Sequence, residues 1–183
     1  MRGKWAQGLE PRLFRWVIKG RLAGSERPGG YARNHRKIRR MEEIIWLSRS
    51  GFTHVVSLLE STHNLRAYEE MDLVALQVPL APPPFDIAGA LLGVYETIAD
   101  LLDDPHACVL VHQETFGDQL AGVFAGYLLY TGLIDDAPQA VTILERLLGT
   151  QMGSPGREIV ALTVGEGLVG AGKAQTPGKS RGK

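Results

Sequence analysis

The chain has 183 residues, 44% of them hydrophobic, and its 20 Lys and Arg balance its 20 Asp and Glu. This length and this apolar share are typical of one compact globular domain and exclude a strongly charged disordered chain. There is no long apolar run of membrane-spanning length and no N-terminal apolar stretch with a cleavage site, so we expect neither a membrane span nor a secretory signal, and a cytoplasmic location.

The predicted domain covers residues 14–164, between a basic N-terminal arm at 1–13 and a Gly- and Lys-rich tail at 165–183 that we expect to be flexible. The spacing of apolar residues predicts strands and helices that alternate along the domain. In chain order these are strands at 15–18 and 21–23, a helix at 35–49, a strand at 54–59, a short helix at 64–71, a strand at 73–78, a helix at 87–102, a strand that ends at His112, and helices at 120–130, from Asp135–Pro138 to Gly149, and from Ser154. This order predicts a single α/β domain with a central, mostly parallel sheet flanked by helices, and such sheets bind ligands at the carboxyl ends of their strands.

Positive charge is concentrated near the start of the chain. Residues 1–40 carry twelve Lys or Arg and two acids, whereas residues 41–164 carry four Arg and seventeen acids. The densest group, which we call the basic patch, consists of Arg33, Arg36, Lys37, Arg39 and Arg40. Because these cations fall at the start of a predicted helix, where the helix dipole opposes them, we expect acidic surface of the same fold or an anionic partner to compensate.

The turn between the strand ending at His112 and the helix starting at Leu120 carries the main functional signal. A strand-to-helix turn points backbone N–H groups at one spot, which normally attracts anions. Here Glu114 and Asp118 place two carboxylates in or beside that spot. The sequence therefore disfavours the capture of phosphate by this turn.

The same turn resembles the signature of the dual-specificity-type phosphatases in the cysteine-dependent protein tyrosine phosphatase superfamily, which reads His-Cys, five residues, Arg, Ser or Thr, and Gly. The corresponding loop positions in this chain are His112, Gln113, Glu114, Thr115, Phe116, Gly117, Asp118 and Gln119, followed by Leu120-Ala121-Gly122. The segments Phe14–Gly30 and Gly51–Glu60 are similar to other parts of the family's fold, so that the resemblance covers about residues 14–163.

The resemblance implies a phosphatase loop without its reactive groups. Gln113 stands at the position of the nucleophilic cysteine and Gln119 at that of the phosphate-binding arginine, and glutamine performs neither task. Phe116 replaces a small residue, and with Phe85 it is a candidate to line or plug the pocket. The family's general acid follows a strand, and in this chain Asp86 is the one candidate, because Pro82–Pro84 cannot donate a proton. The resemblance also implies that His112 orients the loop by hydrogen bonding.

We therefore predict a catalytically inactive pseudophosphatase that binds a macromolecular partner, expected to be a protein, without a cofactor or metal. The single cysteine, Cys108, lies within an apolar strand and is expected to pack in the core. One alternative is a hydrolase that retains chemistry, with or without a metal, through Asp86, His112, Glu114 or Asp118. Another is an adaptor that holds nucleic acid or another polyanion through the basic patch, although that segment contains few aromatic residues and no known nucleic-acid-binding pattern.

Overall fold

Alternating strands and helices build a five-stranded sheet with helices on both faces, as the sequence predicts. The computed structural model describes residues 8–30, 36–80 and 86–175. Its strands are β1 (Arg15–Ile18), β2 (Leu22–Glu26), β3 (His54–Ser57), β4 (Val74–Gln77) and β5 (Val109–Gln113). Its helices are α1 (Lys37–Arg49), α2 (Leu65–Glu69), α3 (Ile87–Asp103), α4 (Asp118–Tyr130), α5 (Ala137–Leu148) and α6 (Ser154–Gly165), followed by a 3₁₀ helix at Ala171–Gln175.

The strand order in the sheet is β1-β2-β5-β3-β4. Only the pairing of β1 with β2 is antiparallel, and the other three pairs are parallel. β5 therefore lies in the middle of the sheet between two parallel neighbours, which explains its nearly continuous apolar sequence. The carboxyl ends of β2, β3 and β5 meet at one edge, where the loop after His112 begins.

Side chains of alternate residues along β5 separate two layers of core. Val109 and Val111 face the larger cluster, which contains α3, α4, α5 and α6. Leu110 faces the smaller cluster with α1 and α2. α4 is the centre of the larger layer, since all but its first two residues are buried. This burial on every side explains why the α4 sequence is apolar all round.

Local sequence signals fix several helix ends. Asp86 caps α3, with its side chain accepting a hydrogen bond from Gly89 N at 3.0 Å. Asp136 caps α5 in the same way through Gln139 N, also at 3.0 Å. Gly149 closes α5 in the left-handed conformation, with φ of 72°.

The chain remains packed beyond both ends of the predicted domain. Before residue 14, Leu9 N donates to Glu42 O at 3.1 Å. After residue 164, Leu168 packs against the larger core and Gly170 N donates to Leu129 O at 2.9 Å. The tail expected from residue 165 thus has an apolar anchor on α4 as far as the 3₁₀ helix, while residues 1–7 and 176–183 lie outside the described residues. None of the described helices is long and apolar enough to cross a membrane.

Candidate functional site

An open cleft of about 740 Å³ lies at the sheet edge where β3 and β5 end. It combines apolar walls with amide, hydroxyl and carboxyl side chains. Its lining residues are Leu58, Leu59, Glu60, Ser61, Leu80, Gln113, Glu114, Thr115, Gly117, Asp118, Gln119 and Pro155. Six of the eight predicted loop positions therefore line one cleft, as expected for a ligand site at the carboxyl ends of parallel strands.

The two glutamines at the resembled catalytic positions contact each other. Gln113 Nε2 donates a hydrogen bond to Gln119 Oε1 at 3.3 Å across the mouth of the loop. Gln113 is half-buried and Gln119 is exposed. The two side chains that the sequence resemblance assigns to the nucleophile and phosphate-clamp positions thus form a neutral amide bridge.

Glu114 is paired with a cation from the interior of the protein. Arg27 Nη1 lies 3.3 Å from Glu114 Oε1, and the Arg27 side chain is only 5% exposed, against 44% for Glu114. Arg27 Nε also donates to Gly30 O at 3.0 Å, which fixes the guanidinium behind the loop. Because Glu26 pairs with Gln113 in the parallel register, the next residues on both strands, Arg27 and Glu114, fall side by side. The charge on this buried arginine is therefore already matched by the protein's own carboxylate.

Asp118 lines the cleft but also joins two helices. Its Oδ1 accepts a hydrogen bond from Gly153 N at 2.9 Å, at the start of α6. It is also the first residue of α4, where a carboxylate is favoured by the helix dipole. Asp118 therefore places a carboxylate beside the N-termini of both α4 and α6, where it competes with an incoming anion.

His112 is fully buried under the loop. Its Nε2 is 3.0 Å from the hydroxyl of Tyr68, which is also fully buried, and its Nδ1 has no hydrogen-bond partner among the described residues. Burial lowers the pKa of His112 to about 4; the positive charge of Arg27 acts in the same direction, and the neighbouring backbone of Gln113 opposes it. Burial also raises the pKa of Tyr68, so near neutral pH both rings are uncharged. The hydrogen bond with Tyr68 joins the end of β5 to α2, and the role of His112 in orienting the loop stays a prediction.

Phe116 does not plug the cleft. Its ring is buried and packs on Phe124 with a centroid separation of 5.6 Å, beside Gly24 on β2. Since Phe116 points into the core, only its backbone takes part in the loop. Thr115 is exposed and Gly117 precedes α4 in an extended conformation. The other residue considered as a plug, Phe85, lies outside the described residues.

Asp86, the candidate acid, serves as the N-terminal cap of α3 and is not among the residues that line the cleft.

No group of three or more His, Cys, Asp or Glu side chains in the described ranges is arranged to hold a metal ion. Cys108 is buried immediately before β5, at the end of the strand away from the loop, and burial raises the pKa of its thiol.

The basic patch divides into two kinds of residue. Arg39 is partly buried and paired with two carboxylates, with Nε 2.6 Å from Glu43 Oε1 and Nη2 3.1 Å from Glu26 Oε1. Arg36 and Lys37 are exposed, Arg40 is partly buried, and Arg33 lies outside the described residues. Acidic residues of the same fold therefore compensate at least one cation of the patch, which is one of the two outcomes the sequence left open.

Comparisons with known proteins agree with this geometry at the level of the fold. No protein-family model matches the sequence, and no curated protein matches it. Among solved structures, the chain is similar to P. aeruginosa TpbA in complex with phosphotyrosine, with 19% identity over 96% of this chain and 100% of that one and a TM-score of 0.65. It is also similar to the kinase associated phosphatase with its catalytic cysteine replaced by serine, with 16% identity, coverage of 82% and 92% and a TM-score of 0.66. Human DUSP28 gives 16% identity, coverage of 85% and 96% and a TM-score of 0.62.

These neighbours confirm the predicted fold class. The chain has the single-domain α/β fold of the dual-specificity and related protein tyrosine phosphatases. Arg27 contacts the loop but was not predicted from the sequence. The signal that could have indicated this contact is its position directly after β2, which pairs with β5.

Proposed function

We propose that this protein is a catalytically inactive phosphatase-like domain, a pseudophosphatase, that acts as a regulatory or scaffolding module by binding a protein partner. The observation that carries the proposal is the hydrogen bond between Gln113 and Gln119 across the loop. By the sequence resemblance, these two neutral amides stand where a phosphatase of this fold needs a thiolate and a guanidinium. The cytoplasmic location predicted from the sequence is part of this proposal.

The loop lacks the groups for both requirements of phosphoryl transfer, the attack on phosphorus and the binding of the phosphate oxygens. A carboxamide is not a nucleophile at neutral pH, and it lacks the positive fork that grips phosphate oxygens in two places. Glu114 adds negative charge to the loop, and its cationic partner Arg27 is already engaged by it. An incoming phosphate dianion would therefore meet a carboxylate and two amides in place of a cationic cradle.

The cleft nevertheless remains open, which supports a binding role for it. Leu58, Leu80 and Pro155 provide apolar surface beside the amides of Gln113 and Gln119. A mixed lining of this kind suits a peptide segment, because apolar contacts provide affinity and amides fix orientation.

The first test measures hydrolysis of p-nitrophenyl phosphate by the full chain, with EDTA and with added Mn²⁺. We expect turnover no greater than that of the Gln113→Ala/Gln119→Ala variant, which serves as the matched control for contaminating phosphatase. Turnover by the wild-type protein that exceeds this control and falls in the Glu114→Gln variant would instead establish the hydrolase alternative.

The second test addresses binding. A photo-crosslinking amino acid is placed at Thr115, which is exposed and lines the cleft, and separately at Arg49, which is exposed at the end of α1. We expect a defined protein adduct in cell extract only from the Thr115 position. Adducts of the same pattern from both positions would contradict a binding site in the cleft.

A further inference from the structure

A second, smaller pocket lies beside α1 and α2 and shares no lining residue with the cleft. Its volume is about 220 Å³, and its walls are mainly polar. The residues that line it are Arg40, Thr62, Asn64, Arg66, Ala67 and Glu70. Two arginines from different helices therefore converge on a space large enough for one tetrahedral anion.

Arg40 reaches this pocket with unused hydrogen-bonding capacity. Its Nε is buried and has no hydrogen-bond partner among the described residues. Its Nη1 is 3.5 Å from Asn64 Oδ1, at the long limit for a hydrogen bond, and no described carboxylate lies within ion-pair distance of it. A guanidinium has five N–H donors, and leaving a buried one unpaired is unfavourable. The contrast with Arg39, whose guanidinium is held by Glu26 and Glu43, singles out Arg40 as a cation that lacks an anion.

Asn64 and Arg66, two other polar residues of the pocket, are placed to contact the same ligand. The Asn64 side chain is anchored by donating to Pro28 O at 2.8 Å, so the Asn64 amide is held in position before any ligand arrives. Arg66 is 90% exposed and pairs with Glu70 at 3.0 Å. Because an exposed ion pair within one helix is weak, Arg66 can turn toward a ligand at little cost.

We propose that this pocket, the Arg40–Arg66 pocket, binds one phosphoryl group carried by a phosphorylated side chain of a protein partner. Two guanidinium groups grip a phosphate through charge-assisted, bidentate hydrogen bonds. Arg36 and Lys37, exposed at the start of α1 within one turn of Arg40, add to the positive field around Arg40.

Nucleic acid fits this pocket less well. None of its lining residues is aromatic, so there is no platform for stacking bases, and Glu70 opposes a continuous chain of phosphates. The inference deepens the proposed function, since it names the chemistry of the partner, and it rests on that function only for the partner being a protein.

The test uses the full chain and a short peptide, Gly-Ala-phosphoserine-Ala-Gly, with its unphosphorylated form and inorganic phosphate as further probes. Binding is followed by backbone amide NMR shifts, which report whether residues around Thr62 and Arg66 respond. We expect saturable shifts there with the phosphorylated peptide and none with the unphosphorylated one. Arg66→Gln should weaken binding about tenfold or more, because it removes a charge-assisted interaction.

Two further variants distinguish binding in this pocket from nonspecific attraction between opposite charges. Glu70→Gln should strengthen binding about two- to fivefold, since it removes the carboxylate that competes for Arg66. Arg49→Gln makes the same change of charge as Arg66→Gln at the far end of α1 and should leave binding unchanged. Thermal denaturation of each variant confirms that the fold is intact.

Several outcomes would overturn the inference. Equal binding of both peptides, or equal losses in Arg66→Gln and Arg49→Gln, would exclude a phosphoryl pocket here. Tighter binding of a single-stranded oligonucleotide than of the phosphopeptide, again lost in Arg66→Gln, would replace the protein partner with a polyanion. If the protein hydrolysed p-nitrophenyl phosphate and also bound the phosphopeptide in an Arg66-dependent way, the two proposals would separate. The inactive cleft would be refuted, and the phosphoryl pocket would be supported.

Discussion

The burial of His112 predicts a measurable dependence of stability on pH. In the folded protein burial lowers the pKa of His112 to about 4 from its ordinary 6.5, so between these values the unfolded chain binds a proton that the folded chain does not. The free energy of unfolding should therefore fall as the pH drops from about 6.5 to about 4. At 1.36 kcal/mol for each unit of pKa difference, the contribution of His112 is about 3 kcal/mol, a large fraction of the stability of an ordinary domain.

Urea unfolding at a series of pH values between 7 and 4 measures this contribution. The His112→Gln variant keeps a polar group toward Tyr68 but does not titrate, and its loss of stability between pH 7 and pH 4 should be smaller by about 3 kcal/mol. Taking the difference between wild type and variant removes other groups, including Glu43, whose pKa is raised by burial and acts in the opposite direction. His63→Gln, on the exposed surface, is the matched control and should retain the wild-type profile. Parallel profiles for wild type and His112→Gln would refute the assignment of a neutral, buried His112.

Three further variants test the loop and the core. The Gln113→Cys/Gln119→Arg variant should hydrolyse p-nitrophenyl phosphate about 10²- to 10⁴-fold more slowly than an enzyme that also has a general acid, and turnover at the full rate would show that an acid is in place. Gly126→Ala should destabilise the protein by about 1–3 kcal/mol in urea unfolding, because the added methyl group would overlap the Tyr95 hydroxyl. Gly93→Ala, a helical site with no atom in the way, should instead stabilise by about 1 kcal/mol, and equal effects of the two changes would contradict the packing around α4.

The order of elements was predictable because each one has a strong local signal. The apolar run of β5, the helical spacing in α3 and the Asp and Gly signals around α5 all act within a few residues. Element ends were less predictable where tertiary pairing decides them. β2 extends to Glu26, three residues past the predicted end, because its pairing with β5 continues through Ser25 and His112.

The sequence predicted which loop residues line the cleft better than it predicted their contacts. That Gln113 and Gln119 replace reactive groups stays a prediction from the resemblance, and their mutual hydrogen bond depends on how the loop curls. The direction of Phe116 was not predictable, because a loop residue turns inward only when the opposite element leaves space, and here Gly24 leaves it. The pairing of Arg27 with Glu114 depends on the register between β2 and β5, which local spacing does not specify.

Part of the positive charge near the start of the chain is compensated within the fold. Arg27 and Arg39 belong to the basic N-terminal part of the sequence, yet both are directed inward and matched by carboxylates. One member of each pair is buried, namely Arg27, Glu26 or Glu43, and removing its partner leaves an uncompensated buried charge. A variant that neutralises the whole basic patch would therefore disturb folding and binding at once. Arg66 avoids this ambiguity, since it is 90% exposed and outside the basic patch, so a loss of binding in Arg66→Gln reports on the surface alone.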